Sequence, residues 1–110
     1  MNTPDRPLPG LTERLRLDKW LWAARFYKTR ALAVDDIEKG RIQVNAQVAK
    51  ASRELKEGDR VDVRQGALTR TVIVKALSTV RGPAIQAQRL YEETPESILQ
   101  RAQHAETRHL

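Results

Sequence analysis

Between Arg14 and Arg30 the chain carries Arg14, Arg16, Lys19, Arg25, Lys28 and Arg30 against a single acid, Asp18. A second stretch, residues 64–91, holds Arg64, Arg70, Lys75, Arg81 and Arg89 and no acid at all. Solvated surfaces usually mix both signs. Two segregated basic blocks point instead to chemistry on a polyanion, where cations neutralise phosphates and release their counterions. The formal net charge of +6 conceals this, because the other segments lean acidic. Trp20, Trp22, Phe26 and Tyr27, four of the chain's five aromatic residues, also fall within eight positions of the first block. Aromatics among bases can stack on unpaired RNA bases. Trp20 belongs to an apolar stripe, however, and Phe26 falls just past a helix end, so core packing is expected for both. Trp22 points about 140° from Leu17 on a helical wheel, which leaves it either packed on another element or exposed.

Signals for catalysis are poor. The chain has no cysteine, which excludes disulfides, thiolate metal sites and cysteine nucleophiles. His104 and His109 stand five apart, not at the i, i+4 spacing that puts two metal ligands on one helix face. Gly40, Gly58, Gly66 and Gly82 are isolated turn formers rather than a phosphate loop, and Glu92 and Glu93 are adjacent and point apart. A protein that binds without catalysis, metal, cofactor or small-molecule substrate is expected.

The elements that must position the basic residues follow from periodicity. Leu17, Trp20, Leu21 and Ala24 keep i, i+3, i+4, i+7 spacing, one stripe of a short helix with Asp18 in its first turn. Thr29 is a good N-cap for a second helix over about Arg30 to Lys39, which Gly40 can stop in the left-handed conformation. Asp35 and Asp36 lie too far along to serve its dipole and read as solvated. From Ile42 the period becomes two: Ile42 and Val44 form a half-buried strand, with Asn45-Ala46 at a tight turn where Ala46 lacks the freedom of glycine. After the turn Glu57-Gly58-Asp59, Val61 and Val63 mark a strand whose partner is expected over Thr71 to Leu77. Pro83 opens a helix expected to run from Ala84 to Tyr91. Thr94-Pro95-Glu96 opens a last one, about Glu96 to Arg108, with Ile98, Leu99, Ala102 and Ala105 as its apolar strip.

Length and composition bound the rest. A chain of 110 residues, 40% hydrophobic and 31% charged, suits one soluble domain with tails. It contains no apolar run near the ~20 residues that span a bilayer. The start, with Pro4, Pro7 and Pro9, lacks the apolar core of a secretory signal, and residues 1–13 read as a disordered arm. A cytoplasmic, monomeric protein is expected.

The run Arg16-Leu17-Asp18, then Leu21, Thr29-Arg30, Ala33, Ile37, Gly40, Ile42, Val44 and Asn45 resembles the S-four RNA-binding domain over about residues 14–64. The segments RLDKWLWAARFYKTRALA (Arg16–Ala33), RQG (Arg64–Gly66), TVIVKA (Thr71–Ala76) and LYEET (Leu90–Thr94) narrow this. Over roughly residues 14–98 the chain is similar to the bacterial ribosome-associated heat-shock proteins of fifteen kilodaltons. Ala46 stands where that family usually has Gly, Ala51 where a Pro often precedes Ser52, and the balance after residue 91 is acidic where the family commonly extends with basic residues.

The resemblance implies an α+β fold: an S-four-like module of two packed helices followed by a small, mostly antiparallel sheet, with additional C-terminal helices. The division implied is the arm (1–13), the module with an extra strand (14–81) and a helical extension (82–110). It also implies docking on ribosomal RNA of the large subunit, with tRNA as a further candidate, and recycling of stalled subunits after heat stress. Site residues expected are Arg16, Lys19, Arg25, Lys28, Thr29 and Arg30 on the helix pair, with Arg41 and Lys50 adjoining from the hairpin. The competing role for Arg16 and Arg30 is as intramolecular partners of Asp18 or Asp36. Rival functions are a protein-interaction or assembly factor and a general binder of RNA or DNA.

Overall fold

A computed structural model describes residues 7–108. In chain order the elements are β1 (Leu11–Thr12), β2 (Leu15–Arg16), α1 (Leu17–Ala23), α2 (Arg30–Glu38), β3 (Ile42–Val44), β4 (Gln47–Val48) and β5 (Glu54–Leu55). They continue with β6 (Arg60–Gln65), β7 (Leu68–Val74), β8 (Leu77–Ser78), α3 (Ala84–Ala87) with a 3-10 turn (Gln88–Leu90), β9 (Tyr91–Glu93) and α4 (Pro95–Arg108). Five strands form one antiparallel sheet in the order β4-β3-β6-β7-β9, and the pairs β1-β8 and β2-β5 form two small antiparallel ribbons. The α+β architecture is the one the sequence implied.

The core lies between the helix pair and the sheet. The expected stripe of α1 is buried, with Leu17, Trp20 and Leu21 fully so, and it meets Ala33 and Ile37 from α2 and the alternating valines Val61, Val63, Val72 and Val74 from β6 and β7. Trp20 also satisfies its indole N–H by donating to the carbonyl of Ala76 at 3.0 Å. Its ring stacks on Phe26, 5.8 Å between centroids, and Phe26 in turn meets Tyr91 at 4.9 Å. Both aromatics expected in the core are packed there, Phe26 at its margin; Trp22 is half-buried against it.

The end of α1 explains the position of Phe26. The Phe26 N–H donates to the Leu21 carbonyl (2.9 Å) and the Arg25 N–H to that of Trp22 (3.1 Å), while Arg25 adopts φ +66°. This is a Schellman motif, and the Phe26–Trp20 contact is the apolar clasp that usually accompanies it. Its left-handed position normally belongs to glycine; here an arginine occupies it.

At the β3–β4 hairpin, Asn45 (φ +51°) and Ala46 (φ +69°) form a two-residue turn of the I′ kind, so the turn is tight and Ala46 bears the strain.

Several expectations are corrected. The partner of β6 runs over Leu68–Val74 rather than Thr71 to Leu77. The Gly66-Ala67 turn closes the hairpin early, and Lys75 and Ala76 turn away to donate to the Leu90 carbonyl. Leu77 then joins β8, which pairs with β1. The helix expected from Ala84 to Tyr91 stops at Ala87, passes through the 3-10 turn, and delivers Tyr91 into β9, an edge strand on β7.

Of the arm, residues 1–6 lie outside the described residues. Beyond them Leu8 packs on the core, the Pro9 carbonyl accepts from Ser78 (2.7 Å), and Leu11 and Thr12 are in β1. The chain passes so close there that a Cβ on Gly10 would lie 2.8 Å from both Thr79 and Val80 side chains.

Finally, α4 does not dock through Ile98 and Leu99, which are 50% and 58% exposed. It docks through Ser97, 2% exposed, whose hydroxyl accepts from the Thr71 N–H (3.0 Å) and donates to Glu93 (2.6 Å). A short polar side chain lets the helix approach β7 closely, and Ile98 and Leu99, one and two positions on, then project elsewhere.

Candidate nucleic-acid interface

The sequence-expected residues fall into three places. The first surrounds Asp18. This carboxylate, 3% exposed, accepts from the Lys19 N–H (2.9 Å), from Arg16 through Nε and Nη2 (3.1 and 3.3 Å), and from Nη2 of Arg30 (3.1 Å). Burial works against its ionisation. Hydrogen bonds and charge from Arg16 and Arg30 outweigh that and hold its carboxyl below the usual carboxylate range. The arginine side chains themselves remain 51% and 44% exposed. The competing reading, that Arg16 and Arg30 partner Asp18, is therefore realised. It is compatible with phosphate contact, because Arg30 commits one Nη and keeps other donors outward.

Lys50 joins this group, because the 50–53 turn abuts the start of α1: Leu17 N–H donates to the Arg53 carbonyl (2.8 Å) and Asp18 N–H to that of Ala51 (3.3 Å). Exposed Lys50 and half-buried Lys19 make no ion pair among the described residues.

Thr29 links the first place to the second. Its hydroxyl accepts from the Leu32 N–H at 3.1 Å, the expected N-cap, and no acid stands in the first turn of α2, so that end of the helix keeps its positive dipole. Just before it, in the connection from α1, Arg25 and Lys28 are exposed. Lys28 makes no ion pair among the described residues, and Arg25 donates through Nε to the Gly82 carbonyl at 2.7 Å.

The third place is the end of α2, away from the cap. Arg41 pairs with Asp36 (3.0 Å), which also accepts from the Tyr27 hydroxyl at 2.6 Å. Asp36 is thus not solvated as expected: its side chain is 18% exposed and serves as a clasp between the interhelical segment, α2 and β3. Burial first, then the Asp36 carboxylate, push the Tyr27 phenol well above its ordinary value, so Tyr27 stays a hydrogen-bond donor. Asp35 is exposed and, among the described residues, pairs only with Lys39.

Arg81, which is not among the sequence-expected site residues, also comes to this face. Its Nε donates to the Trp22 carbonyl at 3.1 Å, bringing the second basic block to the end of α1. The available signal was the acid-free run 64–91; no local pattern tells which of its members turns towards the first block. Of the two histidines, His104 lies on α4 and His109 lies outside the described residues. Among the described residues no helix is long and apolar enough to cross a membrane.

Comparison with known proteins identifies the family. The S4 domain, the S-four module of the sequence resemblance, matches residues 15–61. Heat shock protein 15 of Escherichia coli K12 is 52% identical over 96 residues, covering 87% of this chain and 72% of that protein. An RQC P-site tRNA stabilizing factor from Halalkalibacterium halodurans is 41% identical over 90 residues, covering 81% of this chain and all of that one. A trimeric structure of Heat Shock Protein 15 from Vibrio cholerae superposes with a TM-score of 0.83 at 47% identity, over 87% of this chain and 97% of that one. Identity of this extent, running well past the S4 domain into the added strands and helices, settles the kinship: the chain belongs to the Heat shock protein 15 family.

Proposed function

We propose that the chain is a cytoplasmic RNA-binding protein that docks on the large ribosomal subunit and assists recycling of subunits stalled with tRNA after heat stress. The observation that carries this is the arginine pair on Asp18: one buried acid orients two half-exposed guanidiniums beside the capped, acid-free N-terminus of α2. The names of the relatives, Heat shock protein 15 and the RQC P-site tRNA stabilizing factor, support the ribosomal target. Arg16, Lys19, Arg25, Lys28, Thr29, Arg30, Arg41 and Lys50 are the contact residues in this reading, on a module over 14–81 with its extension over 82–110. The action is binding without catalysis: phosphate neutralisation supplies affinity and RNA shape supplies selectivity. The protein acts as a monomer in this reading, although the Vibrio relative is trimeric.

Co-sedimentation with large ribosomal subunits across a salt series tests it. With about five phosphates neutralised, log K falls with log salt at a slope of roughly −3.5 to −4.5. Charge reversal at Lys19, Lys28 and Lys50 together, cations in no ion pair among the described residues, abolishes co-sedimentation while leaving the fold intact. A slope near zero, or unchanged binding by that triple variant, would overturn the assignment.

A further inference from the structure

Arg25 and Arg81 are laced across one another. Arg25 reaches from the end of α1 to the Gly82 carbonyl (2.7 Å), and Arg81, the residue before Gly82, reaches back to the Trp22 carbonyl (3.1 Å). That same carbonyl accepts the Arg25 backbone N–H, so the two side chains run in opposite directions between the same two stretches of backbone. Each arginine uses only Nε in its strap. Their Nη groups have no hydrogen-bond partner among the described residues, and no ion pair there involves either arginine. Among the described residues no buried side-chain nitrogen lacks a partner, so the Nη groups of half-buried Arg81 must open to solvent, as those of exposed Arg25 do.

This differs from the other arginines of the interface. Arg16, Arg30 and Arg41 each have a carboxylate that satisfies part of their charge, whereas here two guanidiniums are fixed in place by neutral carbonyls alone. A guanidinium held through Nε presents its Nη edge as a fork of donors, the shape that matches a phosphate oxygen pair. The backbone adds an independent sign. Arg25 occupies the left-handed position of a Schellman turn at φ +66°, where glycine would be unstrained, so a side chain is retained at conformational cost.

We propose that Arg25 and Arg81 form a second phosphate-binding site, one that grips the RNA backbone through paired, carboxylate-free guanidiniums. Arg81 lies outside the span matched by the S4 domain, so the site joins that module to the segment that follows it. The proposal rests on the RNA-binding reading and assigns a role within it to part of the second basic block.

The test uses Arg25→Gly, Arg81→Gln and the double variant of the full chain, with two probes: large ribosomal subunits and a synthetic RNA hairpin. Arg25→Gly suits the left-handed position, so its melting temperature stays level or rises, and any loss of binding reports the missing guanidinium rather than a damaged fold. Each single change weakens binding roughly tenfold, about one charge-assisted hydrogen bond. Each also makes the salt slope shallower by about 0.7–0.9, as loss of one neutralised phosphate requires. The double variant loses less than the product of the singles, because the two side chains share one site.

Weaker binding with an unchanged slope would assign Arg81 a packing role, and fully multiplicative losses would make the two arginines independent surface charges; either overturns the site. If the parent chain binds subunits while both variants match it, only this site falls. If the parent binds neither probe, the RNA-binding reading falls and the site with it. Arginine-dependent binding to the hairpin without binding to subunits supports the site and removes the ribosomal target.

Discussion

Asp18 and Glu93 are both nearly buried carboxylates gripped by two arginines, yet they do different work. Asp18 takes Arg16 from the residue pair preceding it and Arg30 from the start of α2. Both arginines stay about half exposed at the face proposed for RNA. Glu93, 8% exposed, takes Arg70 from the neighbouring strand (3.4 Å) and Arg101 from α4 (2.7 Å), together with the Ser97 hydroxyl. Arg70 is further committed: its guanidinium lies over Phe26 and Tyr91, 5.2 and 5.5 Å from the ring centroids. Asp18 leaves both of its cations half exposed; Glu93 draws in Arg70, 29% exposed, and uses Arg101, still 42% exposed, to fasten a helix. Similar chemistry thus separates according to what each carboxylate joins: Asp18 ties the start of one helix to the start of the next, and Glu93 ties a terminal helix to the sheet.

The strongest way to break this contrast is to neutralise each acid in turn. Asp18→Asn leaves two arginines facing a neutral amide beside the core and is expected to cost about 3 kcal/mol, the low end for one half of a buried pair. For a domain of this size that lowers the melting temperature by roughly 12 °C or more. Glu93→Gln is expected to cost about 2 kcal/mol, because Arg70 and Arg101 can reach water and the amide still accepts from Ser97. Circular dichroism melts give both values, and hydrogen exchange gives their location. Protection should fall through the core in Asp18→Asn but only over β9 and α4 in Glu93→Gln. Equal, global losses in both would dissolve the distinction.

A gentler probe is acid. Chiefly the Arg101 hydrogen bond, against the opposing effect of burial and with help from Ser97 and Arg70, holds the Glu93 carboxyl at about 2 rather than 4.5. The unfolded chain binds that proton more readily than the folded one. The stabilisation is therefore complete above about pH 4.5 and is lost as the pH falls from there towards 2. Exchange of α4 amides should accelerate through this window at temperatures where β6 and β7 stay protected. In Glu93→Gln that limb should flatten. An unchanged limb would show that another group governs the acid loosening of α4.

What the sequence disclosed follows the same divide. The side of the molecule around Asp18 was legible because its signals are local: a 3.6-residue stripe, a threonine cap, a glycine stop and a period-two strand each lie within a few residues of what they determine. The side around Glu93 was not. Tyr91–Glu93 is three residues long and polar, because an edge strand meets a serine and two arginines rather than a second apolar layer, so no alternation marks it. Ile98 and Leu99 misled for the same reason, since an apolar strip indicates a docking face only when apolar contact does the docking. β1 and β8, two residues each and 65 or more positions apart in sequence, carry no period at all. Of the eight expected contact residues only Lys19 and Arg30 lie within the two helices, the others falling in β2 or in connections, and the sorting of the cations among them into carboxylate-held and unpaired depends on Asp18 and Asp36 turning inward, which composition does not reveal.

The finest test exchanges single arginines across the divide. Arg30→Gln removes one of two donors from Asp18 at a side chain 44% exposed, so stability should change by no more than about 1 kcal/mol. The RNA salt slope should become shallower by about 0.7–0.9. Arg101→Gln removes a bidentate partner from Glu93 and should cost about 1 kcal/mol, concentrated in α4, while the slope stays at the parent value. The two variants carry the same substitution and lose the same charge, so long-range electrostatics alone predicts the same shift for both. A difference between them isolates position: Arg30 sits at the face proposed for RNA with one Nη on Asp18, and Arg101 spends its fork on Glu93. If the slopes shift equally, net charge rather than placement sets the affinity, and the outward orientation imposed by Asp18 has no bearing on binding.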